Sequence, residues 1–430
     1  MSFNKSNFCT FKNRVGESYL YSGYTGLIFE WNDRIKNFMD GNADDEEARN
    51  YLIGKPLESE METPKFPQQP MVEMIMLYVT NQCNLTCPHC NKRADAQSHP
   101  KEMNLETIKS AILYFLENFE HGKSIEITFF GGDPLLNLTL LKDSIEVLDE
   151  LEKDHNISFR YSIITNGAVL NQSIIDFLAR HNIKVEISID GCEAIKGFNQ
   201  TMLEIVKELA EYCDVLGTVK LTNCNLDLIK LYEELEKGGF NTLKLEYGIY
   251  QNHNKATTEL PIFIKNLQLF ADYFIDNIKQ KRLVNFMDFI SPLQTLHLGA
   301  STQSFPCNFG VNKFTVTMDG SIHFCPHLIS LPEFQWGDIV QGFNSEKRID
   351  FLNNHELTNR KTEQCYSCWA QRMCGGACYY ASYIEKGSTA QISDLYCEFK
   401  KQIFEKALYI YSSFLDEEKI FLDNIRLVNY

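Results

Sequence analysis

Met74-Ile-Met-Leu-Tyr-Val79 predicts a buried strand, and Cys83-Asn-Leu-Thr-Cys87-Pro-His-Cys90 begins after a gap of three residues. This loop supplies three thiolates, one fewer than the four that close a structural zinc site or an iron–sulfur cluster. A four-iron cluster held by three cysteines keeps one iron without a protein ligand. That iron can bind a small molecule and deliver an electron to it, so the loop predicts redox chemistry.

A zinc site is the alternative interpretation of this loop, with a distant fourth ligand such as His89. Zinc sites usually take their cysteines as spaced pairs from two separate knuckles. Three cysteines on one loop directly after a strand fit that arrangement poorly, and we favour the iron–sulfur interpretation.

Strand-like and helix-like segments alternate in the sequence around and after this loop. The strand-like segments are apolar and rich in β-branched residues, as in a parallel sheet that is covered on both faces. Six such units in series predict an α/β fold, namely a partial (βα)6 barrel of the TIM type. The predicted strands are Met74–Val79, Ser124–Phe130, Ser158–Ile164, Lys184–Ile189, Val215–Leu221 and Thr242–Tyr247. The predicted helices include Leu105–Phe119, Leu138–Leu151, Asp227–Lys237 and Leu260–Arg282.

Each predicted strand ends in a short polar loop. In barrels of this type, the active site is built from the loops at the carboxyl ends of the strands. We therefore expect the six loops to meet at one opening. After the cysteine loop, they are Gly131-Gly132-Asp133-Pro134, Thr165-Asn166-Gly167, Ser188-Ile-Asp190-Gly191, Thr222-Asn223 and Glu246-Tyr-Gly248.

The composition narrows the class of protein. The chain has 430 residues, 14 cysteines and a formal net charge of −16. Its length predicts about two or three domains, and its charge argues against broad nucleic-acid binding, which needs a basic surface. It has no apolar run that could span a bilayer, and its first residues lack the pattern of a signal peptide. We expect a cytoplasmic protein with no membrane partner, whose cysteines bind metal rather than form disulfides.

The remaining segments flank the predicted barrel. In the extension before it, Tyr19–Trp31 predicts two short strands and Ile35–Met39 a short helix, and the proline-rich Pro64–Pro70 ends the extension. After the barrel, Phe314–Phe324 predicts a hairpin with an Asp319-Gly320 turn. The predicted domains are 1–70 for the extension, 71–282 for the barrel, 283–400 for a cysteine-rich domain and 401–430 for a C-terminal helix.

The spacing Cys83-x3-Cys87-x2-Cys90 after the first of six βα units resembles that of the radical S-adenosylmethionine (radical SAM) enzymes, over about residues 74–280. In that family the open iron is chelated by the amino and carboxylate groups of SAM. The reduced cluster cleaves SAM to methionine and a 5′-deoxyadenosyl radical, which abstracts a hydrogen atom. The resemblance implies that Cys83, Cys87 and Cys90 are both cluster ligands and catalytic residues.

The resemblance also implies residues that contact SAM. Gly131-Gly132-Asp133-Pro134 resembles the Gly-Gly-Glu-Pro loop of the family, whose glycines admit a ligand close to the backbone and whose carboxylate pairs with the SAM ammonium. Here an aspartate stands where glutamate is usual, so the side chain is one methylene shorter. Ser188 and Asp190 resemble the family's ribose-binding pair, and Asn166 is a further candidate. Each of these three could instead be an ordinary cap or turn residue.

The group that pairs with the SAM carboxylate stays open. Relatives often carry an arginine after the fourth loop, which this chain lacks, and Lys196 or Lys220 could substitute for it. His89 stands at the usual aromatic position before the last cysteine of the trio, where it would pack against the cluster or donate to a sulfide. Cys192 and Cys224 follow the fourth and fifth strands at the predicted opening, where a radical or acid–base role is a further hypothesis.

The later cysteines resemble the SPASM extension of radical SAM enzymes, which holds two auxiliary 4Fe-4S clusters. Cys307 and Cys325 follow a Cys-x12-Gly-x4-Cys pattern, and the next four follow Cys-x2-Cys-x5-Cys-x3-Cys. Zinc knuckles are the alternative interpretation. The resemblance assigns an outer cluster to Cys365, Cys368, Cys374 and Cys397, and an inner cluster to Cys307, Cys325 and Cys378.

The inner cluster is predicted to be one ligand short. Many relatives add an eighth cysteine a few residues after the first, and Asn308–Phe324 contains none. We therefore expect an open iron there, available to a thiolate or an amide of the substrate. His323, His327 or Cys9 could complete the cluster instead. Cys9 and Cys213 are otherwise explained as buried small apolar residues.

Relatives with this extension mostly modify peptides or proteins. The first hypothesis is a maturase that forms a thioether or carbon–carbon cross-link in a ribosomally made precursor peptide. Its partners would be a short precursor with a leader, bound by strand addition to the N-terminal extension, and a reductant such as flavodoxin or ferredoxin. The extension could instead only cover the edge of the barrel.

Two alternatives remain open. One is an anaerobic sulfatase-maturating, formylglycine-forming enzyme, although such relatives usually place the cysteine trio close to the N-terminus and keep the eighth SPASM cysteine. The other is a non-catalytic iron–sulfur electron carrier. Release of 5′-deoxyadenosine would exclude the carrier.

Overall fold

Two sheets organise the computed structural model, which describes residues 4–41, 45–54, 66–87, 90, 101–190, 200–221, 227–247, 253–299, 305–355 and 363–424. The strands are β1 (Phe8–Lys12), β2 (Ser18–Ser22), β3 (Ile28–Glu30), β4 (Met71–Thr80), β5 (Glu120–Gly131), β6 (Ser158–Thr165), β7 (Lys184–Asp190), β8 (Val215–Leu221), β9 (Thr242–Tyr247), β10 (Lys313–Val316), β11 (Ser321–His323), β12 (Gln335–Asp338) and β13 (Gly342–Phe343).

Helices follow most of the barrel strands and dominate the C-terminal part. They are α1 (Asp33–Met39), α2 (Glu46–Leu52), α3 (Leu105–Asn118), α4 (Leu138–His155), α5 (Gln172–Arg180), α6 (Gln200–Leu209), α7 (Leu228–Lys237), α8 (His253–Lys279), α9 (Met287–His297), α10 (Ser345–His355), α11 (Glu363–Tyr366), α12 (Gln371–Cys374), α13 (Tyr379–Lys386), α14 (Asp394–Ser412), α15 (Asp416–Lys419) and α16 (Phe421–Asn424). Short 3-10 turns lie at Lys5–Asn7, Pro134–Asn137 and Pro332–Phe334.

The six strands from β4 to β9 lie side by side in chain order, and every neighbouring pair is parallel. This confirms the predicted parallel α/β fold with six barrel strands. The strands β8 and β9 begin and end at the predicted residues, whereas β5 begins four residues earlier, at Glu120. On one face of these strands, apolar side chains form a continuous buried core with the packed helices, whereas Met74, Met76, Tyr78 and Phe130 form a separate cluster on the other face. That second face lines a cavity, which differs from the predicted sheet covered on both faces.

Asparagine side chains begin several of the barrel helices directly after the loops. The side-chain oxygens of Asn104, Asn137 and Asn171 accept hydrogen bonds from backbone amides in the first turns of α3, α4 and α5, at 2.8, 3.1 and 3.2 Å. Such caps satisfy amides that have no partner within the helix. They fix where each loop ends and therefore how long each loop at the opening is.

The predicted hairpin is confirmed, and it also joins the barrel sheet. The strands β10 and β11 pair antiparallel, and β10 pairs parallel with β4, so that Lys313 lies opposite Met74 and Val316 opposite Leu77. The sheet therefore runs through ten strands in the order β13-β12-β11-β10-β4-β5-β6-β7-β8-β9. The cysteine-rich domain is thus built onto the first barrel strand, beside the cysteine loop.

The N-terminal extension forms its own antiparallel sheet in the order β1-β2-β3, one strand more than the sequence predicted. It packs on the segment of the C-terminal domain that follows Cys368. The Arg372 guanidinium donates to the carbonyls of Gly23 and Tyr24, and the Tyr21 and Trp369 rings meet edge to face, with centroids 6.2 Å apart. The extension therefore covers the loop that carries part of the predicted outer cluster.

The long helix α14 begins at Asp394 and runs without a break to Ser412. The predicted boundary between residues 400 and 401 falls inside it, because the apolar face that packs on α8 is continuous across that point. Among the described residues, no helix combines the length and the apolar character needed to cross a bilayer.

Candidate active site

A cavity of about 1460 Å³ opens at the carboxyl ends of the barrel strands and extends to the C-terminal domain. The N-terminal trio lines it together with Cys307 and Cys374 of the later cysteines. The structure therefore brings residues from both cysteine-rich segments to one space. The twelve cysteines that the structure describes all carry free thiols.

The cysteine loop is held by its own backbone. The amide of Cys90 donates to the carbonyl of Cys87 at 3.2 Å, and the amide of Leu85 donates to the Cys83 sulfur at 3.4 Å. Cys83 and Cys90 are exposed, and Cys87 is half-buried. Three soft, accessible thiols on one loop are the donor set that an iron–sulfur cluster takes, so these residues fit the group that the sequence predicts.

Gly131 and Gly132 allow the second loop to lie directly on the segment that leads into the cysteine loop. Two backbone hydrogen bonds join the two segments: Gly132 N–H donates to the carbonyl of Thr80 and Asp133 N–H to that of Gln82, both at 2.7 Å. A Cβ at Gly131 or Gly132 would overlap the carbonyl oxygen of Thr80 or Gln82, respectively. The two glycines also line the cavity, so they serve both close packing and access for a ligand.

The Asp133 carboxylate points into the protein rather than into the cavity. It is fully buried and accepts bonds from the Thr165 hydroxyl, at 2.9 and 3.0 Å, and from the amides of Asn166 and Leu135, both at 3.0 Å. Burial raises the pKa of Asp133, and these donors oppose that rise. The expectation that this carboxylate pairs with the SAM ammonium therefore differs from its position in the structure, where the short side chain joins the second loop to the third.

Asn166 contacts the cysteine loop itself. Its Nδ2 donates to Oδ1 of Asn84 at 2.9 Å and lies 3.6 Å from the Cys83 sulfur, while its Oδ1 accepts from the Ala168 amide at 2.8 Å. The sequence suggested a role toward the ribose of SAM. In the structure Asn166 links the third loop to a predicted cluster ligand, as hydrogen bonds beside such ligands often do.

The other residues that were predicted to contact SAM lie in different environments. Ser188 lines the cavity, Pro134 is buried at the start of its 3-10 turn, and Asp190 ends β7, with its side chain outside the described part of the chain. Lys220 lines the cavity with its Nζ 3.8 Å from Glu246. The predictions that fall outside the described residues are those for His89, Gly191, Cys192, Lys196, Thr222, Asn223, Cys224 and Gly248.

Three later cysteines converge beside the cavity. Burial raises the pKa of the Cys325 thiol, and the neighbouring Cys378 and Cys307 raise it further. Cys378 precedes α13, and the amides of Ala381 and Tyr380 oppose the rise that burial causes in its pKa. The grouping is the one assigned to the inner cluster, and three neighbouring thiols suit iron and sulfide as ligands.

Four further cysteines form a second group behind the first. Burial raises the pKa of Cys374 to about 11, and Cys368 and Cys365 add to the rise. Burial likewise raises the pKa of Cys397, and the nearby Cys374 and Cys365 raise it further. All four line one small pocket. Among the described residues, no three His, Cys, Asp or Glu side chains lie close enough to share a single metal ion.

The three candidates for a fourth ligand of the inner group occupy different places. Cys9 lies near Cys368 of the outer group rather than beside the inner group. Burial is the main cause that raises the pKa of the Cys9 thiol, and Glu405 and Cys368 raise it further. His323 is buried, and the charges that act on it are those of Asp319 and Lys347. His327 lines the cavity and stacks on Tyr380, with ring centroids 5.0 Å apart.

Charged side chains on the inner face of the barrel were not singled out from the sequence. Glu186 accepts from the Thr218 hydroxyl at 2.6 Å and lies 3.1 Å from Lys244 Nζ, and Asp288 accepts from the Leu245 amide at 2.7 Å. All of them line the cavity, as do Glu126, Lys313 and Lys400. For Glu186 and Lys244 the available signal is the polar residue at every second position of β7 and β9, which gives each strand one polar face.

Comparison with known proteins bears on this site. A family model described as the radical SAM superfamily matches residues 77–235. A cysteine-type anaerobic sulfatase-maturating enzyme of Clostridium perfringens is 24% identical over 373 residues, which are 79% of this chain and 96% of that enzyme. An uncharacterized protein of Methanocaldococcus jannaschii is 31% identical over 220 residues, which are 45% of this chain and 74% of that protein.

Solved structures share the fold. Native anSMEcpe with bound AdoMet and Cp18Cys peptide has a TM-score of 0.64 and 21% identity, covering 83% of this chain and 100% of that chain. Streptococcus suis SuiB bound to precursor peptide SuiA has a TM-score of 0.50 and 13% identity, covering 92% and 99%. The matched segment begins on β4 and contains the cysteine trio and the loops that follow β4 to β8. The chain belongs to the radical SAM superfamily, enzymes that bind S-adenosylmethionine and a 4Fe-4S cluster.

Proposed function

We propose that this protein is a radical SAM/SPASM peptide maturase that abstracts hydrogen from a ribosomally made precursor peptide and forms a thioether or carbon–carbon cross-link. One observation carries the proposal: a single cavity is lined by the cysteine trio and by Cys307 and Cys374 of the two later groups. A substrate in this cavity is within reach of a radical formed at one end and of an auxiliary cluster at the other.

The chemistry divides between the cofactor and the chain. When bound, SAM and its cluster supply a 5′-deoxyadenosyl radical after transfer of one electron, and this radical takes one hydrogen atom from the substrate to become 5′-deoxyadenosine. Cys83, Cys87 and Cys90 would hold that cluster. Gly131 and Gly132 line the cavity where SAM would bind, and the barrel strands would orient the substrate beside it.

The auxiliary groups complete the proposal. Closing a cross-link after hydrogen abstraction requires the removal of one more electron and one proton, and an auxiliary cluster would supply the acceptor for that electron. We assign the outer cluster to four cysteines and the inner cluster to three, so that the inner cluster keeps one iron open to the substrate. Their assigned ligands are Cys365, Cys368, Cys374 and Cys397 for the outer cluster and Cys307, Cys325 and Cys378 for the inner one.

The solved structures of similar fold support a peptide substrate. SuiB was solved with its precursor peptide SuiA, and anSMEcpe with the Cp18Cys peptide. A peptide fits the present cavity because its lining is apolar at Met74, Met76 and Phe130 and charged on the opposite strands. Such a lining offers contacts both to side chains and to the polar backbone of an extended chain.

The N-terminal extension would bind the leader of the precursor. Its sheet is covered on the β1 side by α14, whereas β3 is the outer strand of the sheet order. Tyr51 is 66% exposed and meets the Phe29 ring of β3, with centroids 6.2 Å apart. Among the described residues β3 pairs only with β2, and a strand with one free edge beside an exposed aromatic group suits strand addition by an extended leader.

Anaerobic sulfatase maturation is the second candidate. It is favoured by the Clostridium perfringens relative, which this chain covers over 96% of its length. In that case the product would be formylglycine in a protein cysteine or serine. The inner group weighs against it, because the described segment after Cys307 supplies no eighth cysteine.

The decisive experiment is anaerobic incubation of the reconstituted, reduced protein with SAM and a short peptide encoded beside it. A maturase releases 5′-deoxyadenosine and lowers the peptide mass by two hydrogens, with a fragmentation gap at the cross-link. A sulfatase-type peptide that is converted to formylglycine, with the neighbouring peptide unchanged, would support the second candidate. Reconstituted protein that releases no 5′-deoxyadenosine under any of these conditions would be an electron carrier.

A further inference from the structure

The turn after Cys307 brings Lys313 back beside that cysteine. The backbone amides of Val311, Asn312 and Lys313 all donate to the carbonyl of Asn308, at 3.0, 3.1 and 3.2 Å. Lys313 then begins β10, the strand that extends the barrel sheet next to β4. The segment in which related domains carry an eighth cysteine is therefore a closed turn that ends in a lysine.

A buried arginine fixes this turn. Arg348 is 1% exposed and donates to the carbonyls of Gly310, Val311 and Pro67, at 2.8, 3.1 and 2.9 Å. Burial of a guanidinium costs free energy unless its donors are satisfied, and three carbonyls satisfy this one. Gly310 has a φ of +81°, and a Cβ there would lie 2.6 Å from the Trp336 ring. The turn, and with it the start of β10, is thus held in one conformation.

The Lys313 side chain lines the active-site cavity. Burial lowers the pKa of the Lys313 ammonium; the Glu126 carboxylate on β5, then Cys307 and Glu73 of β4, oppose that fall, and Lys244 of β9 adds to it. Glu126 also accepts from the Ser162 hydroxyl at 3.0 Å, so its charge is shared. Lys313 thus lines the same cavity as Glu126 of the barrel wall and Cys307 of the inner cysteine group.

We propose that Lys313 forms an anion-recognition site beside the open position of the inner cluster and selects a substrate thiolate for it. This inference rests on the proposed function, because it requires the inner cluster. Iron–sulfur clusters take thiolates as ligands, and a nearby cation favours the thiolate over the thiol. When bound, the cluster would supply an iron that takes the thiolate; the substrate thiol would lose its proton to solvent as it binds, with no change of oxidation state.

Spectroscopy of the auxiliary clusters tests this proposal apart from turnover. The holoprotein would carry Cys83→Ala, Cys87→Ala and Cys90→Ala, so that only the auxiliary clusters contribute to the electron paramagnetic resonance spectrum. N-acetylcysteine amide is titrated as the thiol probe. N-acetylserine amide is the control that matches its size, and acetate is the control that matches the charge of its thiolate. We expect the thiol alone to perturb the inner cluster.

Three substitutions of Lys313 make the test specific. Lys313→Met should weaken the apparent thiol affinity about tenfold, because one buried cation near a thiolate is removed, whereas Lys313→Arg should keep it within about threefold. Lys313→Cys should abolish the response to thiol at unchanged iron content, since the new cysteine would fill the open position. Iron and sulfide content and circular dichroism control for folding in each variant.

The outcomes separate the two proposals. Iron content showing no auxiliary clusters would overturn the proposed function and this inference together. Auxiliary clusters that ignore the thiol, respond equally to acetate, or respond alike in the Lys313→Met protein would overturn the inference alone. A Lys313→Cys protein that still binds thiol would also contradict it.

Discussion

Asp133 has a different environment in the structure from the one that the sequence suggested. The sequence suggested a carboxylate that faces SAM, and the structure shows one that is fully buried and satisfied by Thr165, Asn166 and Leu135. The Asp133 carboxylate accepts hydrogen bonds both from the third loop, at Thr165 and Asn166, and from Leu135 in its own turn. Asp133 is therefore a positioning residue in this structure, and the backbone of Gly131 and Gly132 is the part of that loop that lines the cavity.

Substitution of Asp133 distinguishes these roles. Asp133→Ala leaves a hydroxyl and two amides without their acceptor, and we expect a loss of about 1–3 kcal/mol in stability, together with weaker SAM binding. Asp143→Ala, at an exposed position of α4, is the matched control and should change neither quantity. Thermal unfolding of the holoprotein and equilibrium binding of SAM measure the two effects. Unchanged stability with lost SAM binding would instead favour direct contact with the ammonium.

His323 predicts a pH dependence. Burial lowers its pKa to about 4, so the folded protein keeps the ring neutral where the unfolded chain, near its ordinary value of about 6.5, takes up a proton. Because the unfolded state binds more protons between these values, stability falls as pH decreases from about 6.5 to about 4, by up to about 1.4 kcal/mol per pH unit.

The measurement is the difference in melting temperature between wild type and His323→Gln across this range. The acid lability of the clusters affects both proteins and cancels in the difference. The wild type should lose stability relative to the variant as pH falls. His121→Gln, at a half-buried ring that contacts the Gly122 carbonyl, should show no such trend. Parallel curves for wild type and His323→Gln would contradict the pKa argument.

At the scale of elements, the end of β5 determines where the cysteine loop lies. Gly132→Ala would place a Cβ against the backbone of Gln82, which cannot move without displacing the segment that leads to Cys83. We expect this variant to lose the SAM cluster, about four irons of about 12, while the auxiliary clusters remain. Gly122→Ala lies on the same strand with nothing within 4 Å and should keep its full iron content. Equal iron content in the two variants would show that the close approach is not required.

Local sequence patterns predicted the single elements but not how distant elements pair. The six barrel strands follow from apolar runs and polar ends, because both features are local to each strand. The parallel pairing of β10 with β4 involves residues far apart in the chain, Lys313 and Met74, and leaves no periodic signal. The inward charges of Glu186 and Lys244 were overlooked because β7 and β9 were interpreted as apolar strands, although polar residues occupy every second position of both.

The cysteines of the site likewise show what sequence spacing can predict and what it cannot. The spacing grouped Cys307, Cys325 and Cys378 apart from the other four, and the structure brings these three together. Spacing alone could not place Cys9, because its neighbour Cys368 belongs to the other end of the chain. The direction of the Asp133 side chain depends on the third loop and was likewise outside the reach of local pattern.

At the scale of the whole molecule, the N-terminal extension connects two predicted functions. One side of it covers the loop after Cys368, where a Cβ on Gly23 would lie 2.6 Å from the Trp369 carbonyl oxygen. The opposite side presents β3 and the exposed Tyr51. A leader bound at the second side would thus be attached to a sheet that is packed against the outer cluster.

Substitutions on the two sides of the extension should separate protection of the cluster from binding of the leader. Gly23→Ala should loosen the packing on Trp369 and speed the loss of the outer cluster in air, with little change in precursor affinity. Tyr51→Glu should weaken precursor binding about tenfold and leave the cluster lifetime unchanged, because an exposed aromatic anchor is removed. Tyr212→Glu, at a tyrosine of similar exposure on the barrel, is the matched control. Fluorescence anisotropy of a labelled precursor and the decay of iron–sulfur absorbance report the two quantities. Precursor affinity that is equal in the Tyr51→Glu and Tyr212→Glu proteins would assign the extension to covering the cluster alone.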